Sequence, residues 1–335
     1  MKNNKAKLII LLIIVFTLTG CTKNLTDADG KVVQNPKTGQ VLPSNILCAP
    51  TNEENIKLYN DTKKGLEEKY SKELEEGKIS KKEYENNINS LTDVEKLVEC
   101  KKFTPASGGY EGIWTTIFVK PLTWLIIKIG ELFKNYGLAI MIATLLIRAI
   151  MFPLTQKTAK QSENMKLAQP KLQKLEKKYA NKKDEQSMMA KSQEMMAIYK
   201  EYGINPMSEC LFSIVQIPLF FAFYEALYRL PALFEDSFIG FALSTSPIKA
   251  FDLGHWYYLI LPVLVAVSTF FSFKLNSGAS MSEDQAKQMK YMMYGMMIMI
   301  VFMSFTMSSA IIIYWITNST FTIIQNLIVK RSNKK

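Results

Sequence analysis

The stretch YGLAIMIATLLIRAIMFPL, residues 136–154, decides the fold. Its single charge is Arg148, and no Asp, Glu or Lys lies between Asn135 and Gln156. Apolar runs of about twenty residues cross the ~30 Å hydrocarbon core of a bilayer as a helix. A charge at the centre of such a helix costs about 3 kcal/mol or more and is rarely left facing lipid. Whatever makes Arg148 tolerable is therefore a guide to function.

Four further apolar stretches follow, near 207–230, 256–275, 289–307 and 309–329. With 136–156 they predict five membrane spans, so the expected fold class is an all-α polytopic membrane protein. The averages of 48% hydrophobic residues and mean hydropathy +0.02 conceal a polar, lysine-rich 22–111 beside a mostly apolar 112–330. A net charge of +11 would suggest nucleic acid in a soluble chain. Here the lysines have a topological meaning. The segment 157–206 holds eleven Lys, the loop 231–255 only Lys249, and the end of the chain, from Lys330, four basic residues in six. Positive-inside bias puts 157–206 and the C-terminus, including the basic tail 331–335, in the cytoplasm.

The N-terminus reads as a signal peptide over 1–20, with Lys2, Lys5 and Lys7 ahead of apolar Leu8–Leu18. The sequence Leu18-Thr19-Gly20-Cys21 resembles a bacterial lipobox, which implies a lipoprotein bearing a palmitate-type acyl anchor on Cys21. The alternative is an ordinary signal peptide with a chance cysteine. Lipidation would fix residue 21 at the outer face of the membrane, and five spans starting there also end inside.

Residues 21–111 read as an extracellular tether and helical module. Asn, Thr, Gly, Pro and Asp make 22–50 a tether or irregular loop. Two helices are expected in 52–100, the first with Leu58, Leu66, Tyr70 and Leu74 on one face. After Gly77-Lys78, the pattern resumes at Tyr84, Ile88, Leu91, Val94 and Leu97. Cys48 and Cys100 either close this hairpin as a disulfide or remain free thiols. Residues 112–134 read as an amphipathic helix in the outer interface, with Trp114 and Trp124 at headgroup level. Lys120-Pro121 interrupts it, and a kinked transmembrane helix is the other reading.

The cytoplasmic segment 157–206 reads as an antiparallel helical hairpin. Leu167, Leu172, Leu175 and Tyr179 line its first helix, and Asn181–Asp184 forms the turn. Met188, Met189, Met195, Met196 and Tyr199 line the second helix, which ends at Gly203. The methionines either form a surface for varied partners or fill the hairpin core.

Helix geometry gives depths. Arg148 lies about 18 Å from the outer start of its span, and Gln216 about 14 Å from the inner start of the next. In a ~30 Å core these levels nearly coincide. Ser268 and Thr269, and then Thr317, Asn318, Ser319 and Thr320, reach a similar level, with no acid among them. Glu225 lies nearer the outer end, with Arg229 as its helical partner four residues on. A water-filled cavity lined by Gln, Asn, Ser and Thr would solvate Arg148; a closed bundle satisfying it with amides and carbonyls is the alternative. The single His and scattered acids suggest no metal cluster, and neither a phosphate-binding glycine loop nor a Ser/His/Asp constellation occurs. Neither a catalytic residue nor a cofactor is expected.

Several stretches resemble the YidC/Oxa/Alb family of membrane protein insertases, in its lipoprotein form. They are Leu146-Ile147-Arg148 with Pro153-Leu154, Gln169-Pro170-Lys171-Leu172, Tyr199 through Pro206, and Gln216-Ile217-Pro218-Leu219-Phe220-Phe221-Ala222. Phe251-Asp252-Leu253-Gly254 and Tyr314-Trp315-Ile316-Thr317-Asn318 complete the set. The resemblance covers about 113–329. It implies a core over 135–330 of five helices around a hydrophilic groove that is closed on the outer side. The resemblance maps substrate-groove residues onto Arg148, Gln216 and Trp315, and the depth estimate adds Ser268, Thr317 and Asn318. It also implies insertion of nascent membrane proteins from the cytoplasm into the bilayer, alone or with the Sec translocon. Contact of the basic hairpin and tail with the ribosome is one expectation, and contact with anionic lipid headgroups is the other. Met207-Ser208-Glu209-Cys210 and Ser308-Ser309-Ala310 depart from the family pattern. A transporter or channel for an anionic solute, with Arg148 as its binding residue, is the rival function.

Overall fold

The computed structural model describes residues 23–182, 184–205, 207–276 and 283–332. The expected signal peptide and Cys21 lie outside them. The described chain is mostly helical. It divides into two compact units. One is built on residues up to Ala143, Pro218–Leu259 and Thr306–Ile313; the other on Thr144–Ile217, Ile260–Phe305 and Tyr314 onward.

In the first unit, α1 (Glu53–Glu75) starts at Asn52, whose side-chain oxygen accepts from the amides of Glu54 and Asn55. Helix α2 (Lys81–Ser90) is capped by Ser80 and buries none of its residues. The stretch expected as a tether or irregular loop is an ordered meander with isolated antiparallel bridges Asn24–Pro43, Thr26–Val32 and Gln34–Val41. Its apolar residues explain the order: Leu25, Leu42 and Ile46 form one core with Tyr59, Val94 and Phe234. The helical pattern expected through Leu97 stops at Ser90. Leu91 turns extended and Asp93 caps a short 3₁₀ turn, Val94–Lys96. Cys48 and Cys100 form a disulfide beside a parallel bridge between Ala49 and Glu99.

A π-helical turn, Thr115–Val119, leads into α3 (Lys120–Phe133). Lys120-Pro121 does not break the helical run: the proline follows directly on the wider π-turn, in which the Lys120 amide still donates to the Thr115 carbonyl. Trp124 is exposed, whereas Trp114 is buried with its indole N–H turned to Glu225. Helix α4 (Tyr136–Tyr179) starts in this unit, where the Tyr136 amide donates to Asp236 at 2.6 Å. A Cβ on Gly137 would lie 2.3 Å from Phe238, so this close approach requires glycine. Phe238 belongs to a two-stranded hairpin, β1 (Ser237–Phe238) and β2 (Phe241–Ala242). Ile239 and Gly240 turn it with positive φ, as tight hairpins require.

In the second unit α4 continues past 156, where the first span was expected to end. It carries Pro153 and Pro170 within its 44 residues. Helix α5 (Glu185–Glu201), capped by Asp184, packs back on it. Met165, Ala168 and Leu172 meet Tyr199 and Ile204 in a buried core. Leu167 faces out, and so do Met188, Met189 and Met196; Met195 alone among these four methionines packs on the core.

Helix α6 (Met207–Tyr228) and a short α7 (Pro231–Phe234) precede the hairpin; α8 (Pro247–Asp252) follows it. A 3₁₀ turn, Trp256–Leu259, opens α9 (Ile260–Asn276), which lies against α10 (Glu283–Ser304). Helix α11 (Ser309–Ser332) ends the described chain. Among the described residues, Tyr136–Pro153, Trp256–Leu275 and Ser309–Arg331 are long and apolar enough to cross a membrane; Tyr291–Ser304 is a shorter apolar helix.

Candidate functional site

Arg148, on α4, is 1% exposed. Its Nε donates to Asn318 Oδ1 of α11 at 2.6 Å, and its Nη2 to Gln216 Oε1 of α6 at 2.9 Å. Its Nη1 is buried without a hydrogen-bond partner. Among the described residues no carboxylate forms an ion pair with it. The guanidinium is thus held by two neutral amide oxygens. Such acceptors fix its position and leave its charge intact.

Of the other expected site residues, Trp315 donates its indole N–H to Thr269 Oγ1 at 2.9 Å. Ser268 is buried, and its hydroxyl donates to the Val265 carbonyl of its own helix. Thr317 is buried. Arg148, Gln216 and Asn318 are therefore joined directly; Trp315 is linked to Thr269 rather than to the arginine. A second polar link, from Gln325 Nε2 to Thr155 Oγ1 at 2.7 Å, joins α11 and α4 two helical turns further along. Sequence reading missed it, although Gln325 and Asn326 interrupt a mostly apolar stretch. Beside it, Ala149, Phe152, Phe321, Ile324 and Ile328 line a shallow apolar cleft of about 270 Å³.

The first unit contains a contrasting charge cluster. Arg229 is 2% exposed, and all three of its guanidinium nitrogens are engaged. Nη1 pairs with Glu225 at 2.9 Å, Nη2 with Glu111, and Nε donates to the Asn45 carbonyl at 2.8 Å. Glu225 also accepts from the Trp114 indole at 3.0 Å and the Thr115 hydroxyl. Lys120, fully buried, holds Glu111 at 3.0 Å and donates to the carbonyls of Ser107 and Gly109. Burial pushes the Glu111 carboxyl up, but Arg229 and Lys120 outweigh it and hold it below the ordinary carboxylate range. The Glu225–Arg229 spacing was readable in the sequence; the contributions of Glu111, Lys120 and Trp114 were not, since they come from a distant linker and helix.

Residues 128–335 match the family model described as the 60Kd inner membrane protein. A membrane protein insertase YidC of Oceanobacillus iheyensis is 37% identical over 232 residues, 68% of this chain and 87% of that protein. Membrane protein insertase MisCA of Bacillus subtilis is 34% identical over 228 residues, covering 68% and 82%. An active YidC insertase crystal structure with its first transmembrane domain resolved is similar at TM-score 0.44 and 20% identity, over 78% of this chain and 52% of that one. By the family match and the curated relatives, the chain belongs to the 60Kd inner membrane protein family.

Proposed function

We propose that this bacterial membrane protein is an insertase that moves nascent transmembrane segments from the cytoplasm into the bilayer through a hydrated groove at Arg148. The observation that carries the reading is a buried guanidinium held by Gln216 and Asn318, with Nη1 unpartnered and no described carboxylate against it. Insertion requires moving a polar flank across hydrocarbon. A wet groove reaching partway in shortens the dry path, and a cation there attracts acidic groups more strongly than it would in water. The inserted helix then leaves along α4 and α11, beside the apolar cleft at Phe152 and Phe321, as its apolar surface enters lipid. No bond is made or broken, so no residue acts as a catalyst.

The proposed topology has five spans, the 157–206 hairpin and the C-terminus in the cytoplasm, and a lipid anchor on Cys21 outside. The lysine distribution supports this orientation. Ser268 and Thr317 are assigned to the groove wall by their depth along the helices, and Trp315 by the family resemblance. The exposed Met188, Met189 and Met196 suit an adaptable receiving surface for incoming chains. The Sec translocon is a proposed partner on the resemblance alone, and the basic hairpin is proposed to meet ribosomal phosphates.

The test is reconstitution of the full chain in liposomes with a single-span substrate. Protease-protected substrate, dependent on the protein, is the expected result. Flux of an anionic solute without insertion would instead favour a transporter.

A further inference from the structure

The family match begins at residue 128, so the role of residues 23–103 must come from what they touch. They touch the connection between α6 and α9 at several points. Arg229 Nε donates to the Asn45 carbonyl, and the Leu47 amide donates back to the Arg229 carbonyl at 3.0 Å. The Tyr228 hydroxyl donates to the Asn24 side chain. Phe234 lies in the module's own core. Glu235 accepts from the amides of Thr51 and Asn52, at 2.9 and 2.7 Å, and from the Thr51 hydroxyl. Its carboxylate thereby sits at the start of α1, where the helix dipole favours an anion.

The contacts reach the last helix as well. Thr245 donates its hydroxyl to the Thr38 carbonyl at 3.0 Å. The Thr245 carbonyl accepts from both the amide and the hydroxyl of Ser309, at 3.0 and 2.8 Å, and the Ala310 amide donates to Leu243. Ser309 is the first residue of α11. Helices α6 and α11 are the two that carry Gln216 and Asn318.

We propose that residues 23–103 form a brace that positions the outer ends of α6 and α11, with Glu235 as its socket and the Cys48–Cys100 disulfide as its redox-sensitive lock. The disulfide secures Cys48 in the stretch 43–52 that makes most of these contacts, and Cys100 lies 52 residues further on. A module carried only as an appendage would not need a bond to the end of α6 and a link, through Thr245, to the start of α11. In an oxidising outer compartment the lock is closed; reduction frees the contact stretch from the rest of the module. Glu235, Arg229 and Thr245 are positioning residues on this account. It rests on the insertase reading, because insertion is one of its two readouts.

The test uses the full chain in liposomes, oxidised or treated with reductant, with amide hydrogen exchange and insertion measured together. Reduction is expected to speed exchange at Leu243, Ser309 and Ala310 about tenfold and to slow insertion several-fold, with reoxidation restoring both. The Cys48→Ser/Cys100→Ser variant should lose the response to reductant. Glu235→Gln should reproduce the reduced pattern with the disulfide intact, and Glu235→Asp should recover part of it. Unchanged exchange at those three amides on reduction overturns the proposal. So does faster exchange with unchanged insertion, which would leave the module structural only. Wild-type protein that inserts nothing in either redox state would count against the insertase reading instead, and exchange alone would then decide the brace.

Discussion

Two buried arginines, Arg148 and Arg229, are solved in opposite ways. Arg229 meets two carboxylates and a carbonyl, and every nitrogen is used. Arg148 meets two amide oxygens, and one nitrogen has no partner. Desolvating a cation is costly unless it is paired and hydrogen-bonded. The first site meets that cost with fixed countercharges and becomes a joint. The second has no countercharge among the described residues, and the proposed function gives that charge a use: an acidic group on a passing chain. Equal burial therefore does not mean equal purpose.

The sharpest way to break the comparison is to remove each arginine. Arg229→Ala leaves Glu225 buried without its cation, and should cost about 3–5 kcal/mol of stability. A large drop in thermal midpoint for the purified protein is the expected reading. Asn318→Leu removes one hydrogen bond to a charged group, worth about 1.5–3 kcal/mol, and should lower both stability and insertion. Arg148→Met also removes the uncompensated charge, so the loss of its bonds is offset. Its stability should change by only about 1–2 kcal/mol; a loss as large as that of Arg229→Ala would mean that Arg148 is a structural joint too.

The smallest effect concerns Glu111. Its carboxyl is held low in the folded protein, so it stabilises the fold fully above the unfolded glutamate pKa of about 4.3. That contribution should fade as pH falls through the lower folded value. Thermal midpoints measured down through that window should fall less steeply in Glu111→Gln than in wild type.

Much of the second unit was legible because lipid imposes simple rules. One charge in a nineteen-residue apolar run had to face inward, and counting residues along helices placed Gln216 and Asn318 at its level. Residue counting gives depth but not azimuth, so it could not say that Ser268 bonds its own helix or that Trp315 reaches Thr269. The first unit was harder. Its 23–50 stretch has the composition of a loop, and a few spaced apolar residues, Leu25, Leu42 and Ile46 with Val33 beside them, drive it into a core. The Arg229 cluster draws on residues more than a hundred positions apart, a relation that local periodicity does not contain.

The central claim is that the Arg148 charge is held for a passing chain. The direct measurement compares two single-span substrates, identical except that the translocated tail is acidic in one and neutral in the other, in liposomes carrying wild type or Arg148→Ala. The account predicts that Arg148→Ala inserts the acidic-tailed substrate poorly while still inserting the neutral one. Equal insertion of both by Arg148→Ala, at wild-type level, would contradict it.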